Sequence, residues 1–242
     1  MFRHKGKTRT FSHNLRLAVL LSFIAGLVNI TGVLMLKVLT TNVTGHFAFF
    51  AEELVLKNYT FAFLFLVFIL SFLLGSFFSS LITEFFMRRD HIGAHKYSMS
   101  IEIFILLTIG LGGSYFVRTE GHPSLVACLL LFSMGIQNSL VTQISSATVR
   151  TTHLTGLFTD LGIELSQMFF YKKNNEQKRL RRSIELRLAI ILFFFMGCVL
   201  GGFLYSVFRS GTLVIASALL MIALGYDIIL YRYYRFIRKQ RG

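Results

Sequence analysis

Charge is scarce over most of this chain and absent from long parts of it. Residues 17–36, 61–78, 124–149 and 188–208 contain no Asp, Glu, Lys or Arg. Residues 97–117 contain only Glu102, and residues 211–230 only Asp227. An apolar run of about 20 residues matches a helix crossing a bilayer core of ~30 Å. Six such runs in a chain of 242 residues, 54% of them apolar, leave no soluble domain of useful size. The strict alternation that marks a membrane barrel is missing too. The expected fold class is an all-α membrane protein with six transmembrane helices.

Acidic residues are few, 11 against 25 Lys and Arg, for a net charge of +14. A nucleic-acid partner is excluded by where that charge sits. It is parcelled out between the apolar runs, as the positive-inside rule expects, while Phe and Tyr lie in the runs themselves. The basic segment 1–16 precedes a 20-residue apolar run with no small-residue cleavage site. It therefore reads as a cytoplasmic N-terminus before an uncleaved first span. The only cysteines, Cys128 and Cys198, fall within spans and read as packing residues. Walker, GxSxG, HExxH and CxxC patterns are all missing. The expectation is a non-enzyme with no catalytic residue, no metal and no cofactor.

What the chain does contain is a polar phrase said twice. Residues 40–47 read TTNVTGHF and residues 151–158 read TTHLTGLF, sharing Thr-Thr, Thr-Gly and Phe at an offset of 111. Upstream, GLVN at 26–29 matches GIQN at 135–138; downstream, Glu53 and Glu164 keep the offset. GSFFSS at 75–80 parallels GCVLGG at 197–202, both small-residue faces suited to close helix contact. LLTIGLG at 106–112 resembles LLMIALG at 219–225. Each motif opens a segment unlike the ordinary spans. Residues 43–56 reach only ~21 Å as a helix and carry Glu52 and Glu53, and residues 154–171 carry Asp160 and Glu164. The predicted organisation is therefore two repeats. The first, 17–117, has spans 17–37, 59–87 and 97–117 with the short helix 43–56. The second, 123–231, has spans 123–149, 186–208 and 211–231 with the short helix 154–171. A basic cytoplasmic loop at 172–185 and a basic cytoplasmic tail at 232–242 complete the chain.

If both short helices enter and leave on one side, 21 of the 25 basic residues lie on the cytoplasmic face; if both cross, 19 do. Three spans per repeat is an odd number, so the repeats would be inverted, a plan that transporters and channels use. Thr, Asn and Gly form helices poorly and cap them well, so each motif reads as a non-helical approach to a helix N-terminus. Within a membrane such backbone survives only when buried in protein or lining a wet cavity. Two N-termini meeting there would present unpaired N–H groups and partial positive charge to an anion or polar solute. The residues concerned are Thr41, Asn42, Thr44, Gly45, Thr152, Thr155 and Gly156. The blander reading is that their side chains only hydrogen-bond neighbouring spans.

Asn29, Gln137 and Asn138 are mid-span carboxamides that must find partners, in the cavity or on the half-helices. Asp160 and Glu164 lie four apart on one helix face, and an acid in a membrane is a functional candidate by default. His46 and His153 flank the motifs, as proton carriers or as polar packing. Glu102 and Asp227 are expected near the cytoplasmic ends of their spans, reaching the interface or pairing with Arg or Lys. Glu52 and Glu53 are expected to be solvated.

The pairing of GLVNITG and TTNVTGHF with GIQNSLV and TTHLTGLFTDLG resembles the YoaK-like family, bacterial multi-span membrane proteins of unknown function. The resemblance runs from about residue 15 to residue 230. It is most specific in the second motif, at Gln137, Asn138, Thr152, Thr155, Gly156, Thr159 and Asp160. Family members often carry Asp where this chain has Asn29, and Asn where it has His46. The resemblance implies a bacterial inner-membrane location but supplies no substrate. The expected function, a transporter or channel for a small polar or anionic solute, comes from the repeat argument. A non-transporting sensor or assembly protein is the alternative, with the basic stretch 172–187 binding anionic lipid or an acidic partner. An enzyme built on Asp160 and Glu164 would need a second group on that face, and none is visible. The expected partners are the lipid bilayer and an unidentified small solute, with a homo-oligomer left open.

Overall fold

The computed structural model describes residues 10–88, 94–118, 123–171 and 174–240, with side chains excepted at 114–118, 123, 228 and 230–240. Parts of the expected basic N-terminus (1–9), of the basic loop (172–173) and of the tail (241–242) lie outside the described residues. The order of elements is α1 (Phe11–Leu36), α2 (Val43–Val55), α3 (Tyr59–Met87), α4 (His95–Arg118), α5 (Pro123–Ile144), α6 (Leu154–Phe170), α7 (Asn174–Phe208) and α8 (Thr212–Gln240). A 3-10 turn at Arg209–Gly211 joins the last two, and there is no strand among the described residues.

Among the described residues, five stretches are long and apolar enough to cross a bilayer, against the six expected. The fifth, Asn174–Asp227, runs for 54 residues through α7, the turn and most of α8. Large apolar side chains stand on the outside all along the long helices, among them Leu73, Phe77, Phe104, Leu111, Phe195, Phe203 and Ile222. In water such a surface would drive association; its natural solvent is a lipid bilayer. Inside, one core cluster draws on α1, α4, α5, α7 and α8.

Two of the expected boundaries move. The stretch expected as a basic loop at 172–185 is helical from Asn174 onward, continuous with the apolar part of α7. Its Glu, Gln, Lys, Arg and Leu are strong helix formers, and Ile184 and Leu186 turn inward while the arginines stay out. The expected tail from 232 is likewise helical, since α8 continues to Gln240. In contrast, α5 stops at Ile144, five residues before the expected end of its span. Ser146 and Ala147 there have positive φ, which ends the helix. This longer linker absorbs the two extra residues that separate Asn138 from Thr152, compared with Asn29 and Thr41.

Glycines set the main helix crossings. A Cβ on Gly26 of α1 would overlap the Phe194 carbonyl of α7, and one on Gly197 would overlap the Phe23 carbonyl. In the other half, a Cβ on Gly75 of α3 would overlap the Phe132 carbonyl of α5, and one on Gly135 the Phe72 carbonyl. Backbones can come this close only where no side chain intervenes. The same two crossings carry matching hydrogen bonds, Cys198 Sγ to Gly26 O (3.4 Å) and Ser76 Oγ to Gly135 O (3.1 Å). Both cysteines are free, as expected.

The contacts also fix helix direction. Gly26 meets Phe194–Cys198, and Gly201 meets Leu27 and Ile30, so α1 and α7 run parallel. Phe68 clusters with Ala127 and Leu131, and Ser76 bonds Gly135, so α3 and α5 run parallel. Helices α4 and α8 are antiparallel, with His95 beside Asp227 at one end and Gly113 against Ser210 at the other. Phe86 stacks on Tyr97 (3.9 Å between centroids) and Ser98 bonds Ser79 O, making α3 and α4 an antiparallel hairpin. Because Met35 near the end of α1 reaches Gly113 near the end of α4, the chain leaves α1 and enters α3 at the same end of the bundle. Helix α2 lies between those two points.

Candidate functional site

Each copy of the motif is tied to the long helix before it. Asn29 Oδ1 accepts from Thr41 N (3.3 Å) and Thr41 Oγ1 (3.0 Å), and Asn138 Oδ1 accepts from Thr152 Oγ1 (3.1 Å). A mid-span carboxamide is thereby satisfied by the non-helical backbone or side chain that follows it, as a buried polar group must be. Both motifs then start short helices whose first turns face one cavity of about 730 Å³.

Of the residues expected from the sequence, Asn29, Thr41, Asn42, Thr44, Asn138, Thr152, His153, Thr155 and Gly156 line this cavity. The others are elsewhere. Gln137 is fully buried and its Nε2 donates to Leu21 O (2.8 Å), so it holds α1 against α5. His46 is buried, with Nε2 on Leu39 O (2.8 Å) and its ring against Phe65 and Phe68. Polar packing accounts for it. Gly45 lies against Asn42, where a Cβ would stand 3.2 Å from the amide nitrogen. The cavity also takes in Phe72 and Phe194, Thr142, Thr159 and Arg150. Phe72 and Phe194 are the residues whose carbonyls meet the crossing glycines, and only the tertiary contact could reveal them. Arg150 directly precedes the second Thr-Thr, a position the charge count alone did not mark out.

The two helix starts are capped differently. Asn42 Oδ1 accepts from Gly45 N (3.0 Å), closing the start of α2 in the usual way. His153 occupies the same place before α6 and makes no side-chain cap. Its ring instead stands where a Cβ on Gly156 would go, so Gly156 is needed for the imidazole to fit.

Asp160 and Glu164 do share a helix face, and that face meets α7. Arg187 Nε and Nη2 hold the two oxygens of Glu164 (2.8 and 3.0 Å), and Nη1 holds Asp160 Oδ2 (2.8 Å). Ser183 Oγ adds a bond to Glu164 Oε1 (2.6 Å). The forked guanidinium suits two carboxylates at once. These acids fasten α6 to α7 and do not line the cavity between the motifs. Arg187 was counted at the edge of a basic loop; its i, i+4 spacing from Ser183, matching that of Asp160 and Glu164, was the available signal.

The remaining acids depart from expectation in part. Asp227 pairs with His95 (3.4 Å). Glu102 is fully buried, and neither of its oxygens has a hydrogen-bond partner among the described residues. Glu52 is exposed as expected, whereas Glu53 is half-buried. No group of three metal-ligating side chains occurs among the described residues.

Lipid-facing apolar helices packed around a shared apolar core define this chain as a multi-span membrane protein. It belongs to a family described as a protein of unknown function, DUF1275, whose model matches residues 17–226. It is similar to the UPF0700 transmembrane protein YoaK of Bacillus subtilis (strain 168), 26% identical over 182 residues, covering 75% of this chain and 79% of that protein. No solved structure matches it.

Proposed function

We propose that the protein is a transporter or channel for a small polar or anionic solute, and that the cavity between the two motifs is its binding site. One observation carries this reading: both short-helix N-termini, the carboxamides of Asn29, Asn42 and Asn138, and Arg150 border one cavity between the halves. Helix N-termini and a guanidinium favour negative charge. In this reading the chain is two inverted repeats of three spans, with the stretch Asn174–Asp227 divided at its 3-10 turn into two spans, giving six in all. The parallel pairs α1–α7 and α3–α5, the antiparallel pair α4–α8 and the return of α3 to the end where α1 finishes all support it. Eight full crossings would make α4 and α8 parallel. Helices α2 and α6 are then re-entrant, and Asn29, Thr41, Asn42, Thr44, Asn138, Thr152, His153, Thr155 and Gly156 contact solute. Both termini are cytoplasmic and the membrane is the bacterial inner one. An enzymatic role is not part of this reading, because both acids of α6 are engaged by Arg187.

The test is a solute-uptake screen with purified protein in liposomes, run alongside Thr44→Val plus Thr155→Val. Uptake of a small anion or polar solute by wild type and its loss in the double variant is the expected result. A screen in which no small solute moves faster than in protein-free liposomes refutes the proposal.

A further inference from the structure

A second cavity, of about 740 Å³, lies between the start of α1, the linker before α6 and the basic first turns of α7. Four guanidiniums border it: Arg150, Arg179, Arg182 and Arg187. The one carboxylate on its wall, Asp160, is held by Arg187. Arg182 lies over the Phe11 ring (6.0 Å), and Arg150 and Arg179 make no ion pair among the described residues. Three exposed guanidiniums are thus left without a carboxylate around one hollow, and their summed positive field draws an anion to it. A further feature points the same way. Gly156 and Leu157, in the first turn of α6, border this cavity, and that helix start lacks the side-chain cap that Asn42 supplies to α2.

We propose that this cavity is a binding site for a phosphate group, held by Arg150, Arg179 and Arg182 beside the uncapped start of α6. A tetrahedral phosphate, a dianion when free or a monoester and a monoanion in a phosphodiester headgroup, offers several acceptor oxygens to forked guanidiniums at once, which a halide does not. The phosphate comes either from a soluble phosphate compound or from a phospholipid headgroup; the Phe11, Leu157 and Leu186 wall suits the neighbouring carbon atoms of either. Because Arg150, His153 and Gly156 border both cavities, the site stands in series with the central one. It is nevertheless a separate site, since Arg179 and Arg182 do not border the central cavity.

The test uses the full chain in an uncharged detergent and in nanodiscs. Inorganic phosphate is titrated against chloride at matched ionic strength, with the thermal midpoint and calorimetric binding as readouts. In parallel, retained phosphatidylglycerol is counted by native mass spectrometry after nanodisc extraction. For a soluble phosphate ligand, wild type shows saturable phosphate binding that chloride does not mimic, and Arg179→Gln plus Arg182→Gln weakens it at least tenfold. For a headgroup, wild type keeps bound phosphatidylglycerol and the same double variant loses it. Arg179→Lys plus Arg182→Lys, which keeps the charge, retains part of either effect. Thr44→Val plus Thr155→Val leaves unchanged the lipid retention and that part of phosphate binding which depends on Arg179 and Arg182. The proposal is overturned if neither phosphate binding in excess of chloride binding nor lipid retention depends on Arg179 and Arg182. Failure of solute uptake with binding at this second cavity intact would count against the central transport site alone.

Discussion

Thr41 and Thr152 reach back in the same way to a carboxamide on the preceding long helix, Asn29 in one half and Asn138 in the other. One residue further on the halves part. Asn42 caps its helix, while His153 does not and stands against Gly156 instead. Before the motif, Leu39 in the first half has Arg150 as its counterpart in the second, and both border the central cavity. Within the short helices, Phe49 is exposed and stacks near Phe65, whereas its counterpart Asp160 pairs with Arg187. The lesson is a division of labour. The features that position the two short helices are shared, and the features that carry charge belong to the second half.

Substitutions at paired positions can break or sharpen this comparison. The largest effect is expected at the shared crossings. Gly26→Val and Gly135→Val should each cost about 3 kcal/mol or more, since a side chain would collide with backbone that cannot move aside. Folded yield and thermal midpoint in detergent read this out, and a crossing that accepts Val would show that the halves are not built alike. Next comes the unshared fastening. Arg187→Gln should destabilise by about 2 kcal/mol, because Glu164 would lose its charged donor, while Phe49→Leu in the other half should change the midpoint little. Glu164→Gln should cost more than Asp160→Asn, because Asp160 is 50% exposed against 14% for Glu164 and water screens the more exposed pair.

A smaller contrast is expected at the caps. Asn42→Ala should cost about 1 kcal/mol and His153→Ala close to nothing, measured by the same melts; equal losses would mean that His153 caps α6 after all. The smallest effect is shared again. Thr41→Val and Thr152→Val should each cost about 0.6 kcal/mol, the scale of a hydrogen bond within a membrane bundle. Double-variant cycles with Asn29→Ala and Asn138→Ala should return similar coupling energies in the two halves, and a coupling present in only one half would end the analogy.

Much of this was legible along the chain. Uncharged runs of span length announce helices in lipid, because no other solvent accepts them. Thr, Asn and Gly before short segments announce helix starts, because their side chains or lack of one favour non-helical backbone. The repeat of these signals at near-constant spacing was enough to pair Asn29 with Asn138 and Thr41 with Thr152. The length of α7 was less visible, since a basic amphipathic stretch reads as a loop until Ile184 and Leu186 are seen to find a core.

The amino-acid order by itself determined which segments are helical and apolar, and where each short helix begins, because these follow from local propensity and from the mismatch between apolar side chains and water. Only the tertiary structure decided what those segments face. It took Gln137 and His46 out of the site by giving each a backbone carbonyl, and it turned Asp160 and Glu164 from candidate site acids into partners of Arg187. It also brought Arg150, Arg179 and Arg182 around one hollow from different parts of the chain. Hydrogen-bond satisfaction and charge pairing depend on neighbours distant in sequence, and no local pattern specifies them.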